Sequence, residues 1–253
     1  MKVQKSLKPG VAIFLCAGIF FLSGAALDAK EAVLPVVLNK SKALVSIQSM
    51  KKINATGIGK DPDDQRYALL MTGSRYKPTA YGRSGSGVII DPKGVIVANY
   101  HTVSHASRIS VTLSDGTQTP ARLIYVLPES DLAFLSIVPP FRLPYVPLAN
   151  SDMVSVGATV YMIGRALGHN GSVYGGKISG VFTQPLRRDP PLSLLEVNFG
   201  FHLFFGDSGS PLLNRNGYLL GIVSGGRREG DKAALVVASN VIRDAYRQIP
   251  FGV

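Results

Sequence analysis

Cysteine is almost missing from this chain. Among 253 residues there is one, Cys16, and it lies inside an apolar run near the amino terminus. Leu15 before it does not fit the small residue expected ahead of a lipidated cysteine, so Cys16 reads as an ordinary apolar position. The remainder has no thiol to pair, which excludes a small disulfide-stapled scaffold. Acidic residues are scarce too, 16 against 27 lysines and arginines, for a net charge of +11. Four histidines occur, at 101, 105, 169 and 202, and no metal-binding cluster or cofactor motif is visible, so neither a metal nor a cofactor is expected. Charged residues make up only 17% against 46% hydrophobic, which excludes a disordered chain. Glycine and proline are spread without a repeat period, a pattern of many short strands joined by turns.

The first 29 residues hold Lys2, Lys5, Lys8 and Asp28, which leaves +9 for the rest. Basic pairs at Lys51-Lys52, Arg187-Arg188 and Arg227-Arg228 invite a reading as an anion-binding surface. No aromatic-interleaved basic stripe or nucleic-acid motif accompanies them, so a solvated basic surface is preferred and no nucleic acid is expected. The three lysines precede an apolar run, Val11 to Leu22, and small residues at 23 to 26, the three-part layout of a secretory signal. The run is shorter than the roughly 20 residues of a membrane span. Extended to Leu27 it reaches the lower limit. Residues 1–29 are therefore expected to be a signal peptide cut near Ala26 or Ala29, with an uncleaved anchor as the alternative. Either way the lysines keep the amino terminus inside and send the rest out. A periplasmic or secreted location is expected, or an inner-membrane anchor facing the periplasm, and a cysteine-free export product fits a bacterial envelope protein.

The segments beyond it predict two clusters of about six strands each. A first barrel is expected over about 43–145, a second over about 155–238, and a closing helix over about 239–249 with Ser239 or Asn240 as its cap. The fold class is all-β, two antiparallel six-stranded barrels with a carboxy-terminal helix. Turn signals at Asp91-Pro-Lys-Gly94 and Asn214-Arg-Asn-Gly217 separate apolar runs and predict hairpins. Residues 48 to 83 read as a long surface insertion with a short hairpin at Tyr67 to Thr72, and Pro139, Pro140 and Pro144 mark a linker.

The chemistry concentrates in Gly206-Asp-Ser-Gly-Ser-Pro211. A serine hydroxyl is a weak nucleophile and needs a base and oxyanion donors. Glycines on both sides of Ser208 permit the tight turn that aims main-chain N–H groups at a reacting carbonyl. His101 ends an apolar strand and starts a turn, where an imidazole can face a cleft. Asp131 leads an apolar strand that can carry it to a buried edge, although taken alone an aspartate there reads as a turn residue at the strand start. His105 shares the His101 loop and is expected to be exposed.

Four segments together resemble the trypsin-like, chymotrypsin-fold serine proteases, with the HtrA/DegP-type branch of bacterial envelope proteases nearest in look. They are Gly85-Ser-Gly-Val-Ile-Ile-Asp-Pro-Lys-Gly94, Ala98-Asn-Tyr-His-Thr-Val103, Ser130-Asp-Leu-Ala-Phe-Leu135 and Gly206-Asp-Ser-Gly-Ser-Pro-Leu-Leu-Asn214. The resemblance covers about 43 to 249 and implies His101 as general base and then acid, Asp131 as its orienter and Ser208 as nucleophile. It implies an oxyanion hole from the N–H groups of Gly206 and Ser208. It places Ser224, Gly225 and Gly226 beside bound substrate, with Ser224 also within reach of Asp131, and His202 near the base of the specificity pocket, where a loop histidine satisfied by main chain is the competing reading.

The chain departs from the HtrA pattern at Asp207 and Ser210, where that branch usually has Asn and Gly, and throughout Asn198 to Phe205. Ser-Gly-Ser-Pro also occurs in glutamyl-endopeptidase-like relatives. No PDZ domain follows Val253, so peptide-gated regulation of the HtrA kind is not expected. The expected function is an exported serine endopeptidase acting on protein or peptide substrates through an acyl-enzyme, in envelope protein quality control or processing. The alternative is a catalytically silent protease-fold protein that binds unfolded chains or a partner.

Overall fold

The computed structural model describes residue 33 and residues 35–52, 80–164, 172–184, 192–203, 206–226 and 232–250. The signal segment, the hairpin expected at Tyr67 to Thr72, and the basic pairs at 187–188 and 227–228 lie outside them.

Among the described residues strands carry the fold, with helical residues at 35–39 before them, one α-helix between two of the strands and another after the last. The first sheet holds β1 (Leu44–Lys52), β2 (Ala80–Asp91), β3 (Val95–Asn99), β4 (Arg108–Thr112), β5 (Gln118–Pro120), β6 (Arg122–Leu127) and β7 (Leu132–Ser136). Helix α1 (Tyr100–Val103) sits between β3 and β4. The strand order is β5-β4-β1-β2-β3-β7-β6, a curled sheet of seven strands. This refines the expected six. The chain from Gln118 to Leu127 divides into two strands, β5 pairing with β4 and β6 with β7, and these become the sheet's two edges.

The second sheet closes into the expected six-stranded barrel, β10-β13-β12-β11-β8-β9. Its strands are β8 (Thr159–Gly164), β9 (Ser172–Gln184), β10 (Leu192–Asn198), β11 (Pro211–Leu213), β12 (Leu219–Gly226) and β13 (Ala233–Ala238). Helix α2 (Ser239–Arg247) ends the fold. Both forecast turns are present: Gly94 N–H donates to Asp91 O at 3.0 Å, and Gly217 N–H to Asn214 O at 3.0 Å.

The core joins the two halves. Ile47, Ile96, Leu132, Phe134 and Leu135 of the first sheet are fully buried in a cluster that also takes in Ile163, Leu213 and Ile222 of the barrel and Val241, Ile242 and Ala245 of α2. The proline-rich linker runs along both sheets. Val146 N–H donates to Ile89 O at 2.9 Å, and three residues later Ala149 N–H donates to Leu219 O at 2.8 Å.

Helix α2 buries Val241, Ile242 and Ala245 but is not capped by its own side chains. Ala238 stands at the cap position, and Ser239 Oγ donates instead to Ala149 O at 2.9 Å. The free N–H of Asn240 goes to Ser151 Oγ at 3.1 Å, so the linker supplies what a capping residue otherwise would. The far end of α2 grips the first sheet. Tyr246 packs against Phe134 with ring centroids 6.2 Å apart and its hydroxyl donates to Asp91 Oδ2 at 2.8 Å, while Tyr125 OH meets Gln248 Oε1 at 2.7 Å. Burial, then the hydrogen bond to Asp91 and its charge, push the Tyr246 phenol well above its ordinary range. The folded state thus holds this proton more tightly, and the resulting stability is full below about pH 10 and lost as the pH rises beyond it. Tyr246→Phe is expected to lower the unfolding free energy by about 1 kcal/mol at neutral pH. Denaturant titration will read that difference, which should shrink in alkaline buffer.

Candidate active site

The site lies where the first sheet meets the closed barrel. Strand β3 delivers Asn99 and Tyr100 to the start of α1, and one residue on stands His101, its side chain 40% exposed. A turn at Pro128–Ser130 delivers Asp131 to the head of β7. Asp131 has φ 52° and ψ 37°, the left-handed conformation that aspartate tolerates better than most residues. That backbone is held firmly: its carbonyl accepts from Tyr100 N–H at 3.0 Å and Asn99 Nδ2 at 3.3 Å, and its N–H donates to Pro128 O at 3.0 Å.

The carboxylate of Asp131 receives four contacts from three groups. His101 Nδ1 lies 3.0 Å from Oδ1 and 2.8 Å from Oδ2, His101 main-chain N–H reaches Oδ1 at 2.9 Å, and Ser224 Oγ reaches Oδ2 at 2.6 Å. Carboxylate oxygens accept, so the tautomer that hydrogen-bonds to Asp131 is the one with its proton on Nδ1, and Nε2 lies on the other side of the ring. Ser224 comes from the other sheet, and its aim has a local cause. Strands β12 and β13 pair Val223 with Val236 but then Gly225 with Leu235, leaving Ser224 as the extra residue of a bulge. A bulge redirects the side chain of its additional residue, and here the hydroxyl crosses to Asp131.

The Ser208 turn is pinned to the first sheet by Ser86 in β2. Ser86 N–H donates to Ser208 O at 2.8 Å and Ser86 Oγ to Gly206 O at 2.9 Å. Gly206 has φ 104° and Gly209 φ 83°, values that favour glycine. At Gly209 a Cβ would stand 1.9 Å from the Ser86 carbonyl oxygen, so the close approach also demands it. Ser208 Oγ lies 3.5 Å from the Ser224 carbonyl oxygen. Among the described residues no hydrogen bond joins it to the His101 ring, and the N–H groups of Gly206 and Ser208 have no acceptor. Asp207 is 1% exposed, its Oδ1 turned toward Gly164.

The profile of the trypsin-like peptidase domain family matches residues 85–222. The chain belongs to this family. It is 37% identical over 139 residues to the periplasmic serine endoprotease DegP of Salmonella typhimurium, covering 54% of this chain and 29% of that protein. It is 33% identical over 175 residues to the periplasmic pH-dependent serine endoprotease DegQ of Escherichia coli, covering 66% and 38%. The chain therefore spans roughly a third of the length of these curated relatives. The solved HtrA-type protease AlgW with tripeptide superposes with TM-score 0.67 at 23% identity, over 86% of this chain and 63% of that one, a likeness of fold.

The trypsin-like peptidase frame brings His101, Asp131 and Ser224 into direct contact and sets Ser208 on the same seam. Gly225 has open space where a Cβ would stand and Gly226 is exposed. His202 is exposed and Phe201 half-buried; Phe201 packs against Tyr174 and Phe199 with centroids 4.8 and 5.7 Å apart. His105 is exposed with φ 56°. Two contributors escaped the sequence reading. Ser86 lies inside the quoted Gly-Ser-Gly signal, and Asn99 directly precedes the Tyr-His pair, but neither announces its partner. Gly209→Ala is expected to break the Ser86 junction and lower the melting temperature by several degrees, whereas Gly116→Ala, at an exposed turn with nothing within 4 Å, should cost much less. Parallel thermal melts of the two variants test the difference.

Proposed function

We propose that this chain is an exported serine endopeptidase, with Ser208 as nucleophile, His101 as general base and then acid, and Asp131 as the group that orients the imidazole. The observation that carries this reading is the clamped imidazole: Asp131 holds Nδ1 and the main-chain N–H of His101 at once, and Ser224 of the barrel fixes the same carboxylate. The periplasmic relatives DegP and DegQ, named serine endoproteases, support both the activity and the compartment.

In the proposed reaction Ser208 Oγ attacks the carbonyl carbon of a peptide bond and its proton passes to His101 Nε2. The imidazolium that forms is stabilised by the Asp131 carboxylate. The N–H groups of Gly206 and Ser208 are the donors assigned to the oxyanion, and losing one such donor typically costs about a hundred- to a thousandfold in rate. His101 then protonates the leaving amine, and the acyl group stays on Ser208 as an ester. Water attacks that ester with His101 again as base, which releases the carboxylate product and restores the enzyme. The open space over Gly225 and the aromatic group of Tyr174, Phe199 and Phe201 favour a small or apolar residue before the cut. Substrates are unfolded or exposed segments of envelope proteins, in quality control or processing.

One observation favours the alternative, a silent member that binds unfolded chains or a partner: Ser208 Oγ faces the Ser224 carbonyl and not the imidazole. Apo triads often tighten only with substrate, so this spacing does not by itself remove catalysis. A fluorophosphonate probe separates the two. The endopeptidase reading expects labelling of the wild type, loss in Ser208→Ala, and a strong loss in His101→Ala. A folded wild type that takes no label establishes the silent reading instead.

A further inference from the structure

Two cations and a hydroxyl are buried beneath the loop that carries His101. Ser49 and Lys51 on β1 are 0% and 3% exposed, and Arg83 on β2 is 7% exposed. The register pairs Ser49 directly with Arg83, so their side chains leave the sheet on one face, and Lys51, two residues along, shares it. Each reaches up to α1 or the residue that ends it. Arg83 Nη1 donates to the His101 carbonyl. Ser49 Oγ donates to the Thr102 carbonyl at 2.6 Å, and Lys51 Nζ to Ser104 Oγ at 3.3 Å. Ser104 Oγ in turn lies 3.5 Å from the same His101 carbonyl.

A four-residue helix needs this help. It is a single turn, closed at its end by Ser104 N–H donating to Tyr100 O at 2.8 Å. The carbonyls of His101 and Thr102 receive no main-chain donor among the described residues. A neutral side chain suffices as a cap, as Ser49 demonstrates on the neighbouring carbonyl. Arg83 adds a donor, Nη1, carried on a planar and rigid guanidinium, which restricts where the His101 carbonyl can stand.

We propose that Arg83 is a positioning residue for the His101 imidazole, holding the main chain of the base from beneath while Asp131 holds its ring from the side. This rests on the proposed role of His101 as general base. Two anchors on one residue, the carbonyl below and the N–H and Nδ1 beside, leave the ring little freedom to turn Nε2 away from the seam. Small displacements of a catalytic base are costly, and about 1 Å costs on the order of a hundredfold.

The test compares Arg83→Met and Arg83→Lys in the purified full chain. It reads kcat and KM on a peptide substrate, thermal unfolding, and the downfield proton resonance of His101 Nδ1–H hydrogen-bonded to Asp131. Arg83→Met is expected to lower kcat by about tenfold to a hundredfold with KM unchanged, and to broaden or abolish the resonance. Arg83→Lys, which retains a charged donor for the same carbonyl, should recover part of both. Wild-type kcat and an unchanged resonance in folded Arg83→Met overturn the proposal, as does a loss confined to KM. If Arg83→Met does not unfold as one cooperative transition, the decision passes to Arg83→Lys: a lower kcat with a shifted resonance supports the proposal, and wild-type values for both overturn it. If wild-type Ser208 takes no fluorophosphonate, the hydrolase reading fails separately. The Nδ1–H resonance then decides alone, its loss in Arg83→Met supporting the positioning role and its persistence overturning it.

Discussion

One carboxylate ties the two halves of this protein together. Asp131 stands at the head of a strand in the first sheet, in a left-handed backbone held by Asn99 and Tyr100. Its side chain accepts from His101 of the same sheet and from Ser224 of the closed barrel. Charge-assisted hydrogen bonds of this kind are roughly twice as strong as neutral ones, and a partly sheltered site weakens the competition from water. The ring orientation of His101 and the bulge at Ser224 both have meaning only through that carboxylate. The seam around it follows the same plan: Ser86 of the first sheet grips the carbonyls of Gly206 and Ser208, and α2 reaches back from the barrel to Asp91 and Phe134.

The parts of the fold that could be read in advance are those where hydrophobic period and turn chemistry agree. Strand β3, five buried residues between Gly94 and α1, and the hairpin at Asn214 to Gly217 are of this type. Strand β1 is the instructive exception. Its second half, Gln48 to Lys52, reads as the start of a surface insertion because Ser49 and Lys51 occupy inward positions with polar side chains. The beginning of β2 is hidden for the same reason, since Arg83 points inward. These residues face the underside of α1, where carbonyls and not methyl groups need partners. A periodicity that counts apolar residues cannot see a strand whose buried side chains are donors.

The candidate site divides along similar lines. His101, Asp131 and Ser208 carry local signals, a strand end, a strand start and a glycine turn. Contacts that depend on register do not. That Ser224 is the extra residue of a bulge follows from the pairing of β12 with β13, and that Ser86 meets Gly206 and Ser208 follows from packing of residues 120 positions apart. The capping of α2 by Ser151 is likewise a property of the linker's path, and a helix-start motif within the sequence pointed to the wrong acceptor.

The central claim is that the clamped His101 serves Ser208 as the base of an acyl-transfer enzyme. It is tested most directly by rapid acid quench of the wild-type chain with an activated ester of a short apolar peptide, followed by mass analysis of the protein. The account predicts one acyl group per chain at early times, mapped to Ser208 and absent from Ser208→Ala. Turnover of the ester with no covalent adduct, an adduct on a residue other than Ser208, or a folded protein that neither acylates nor turns over would contradict it.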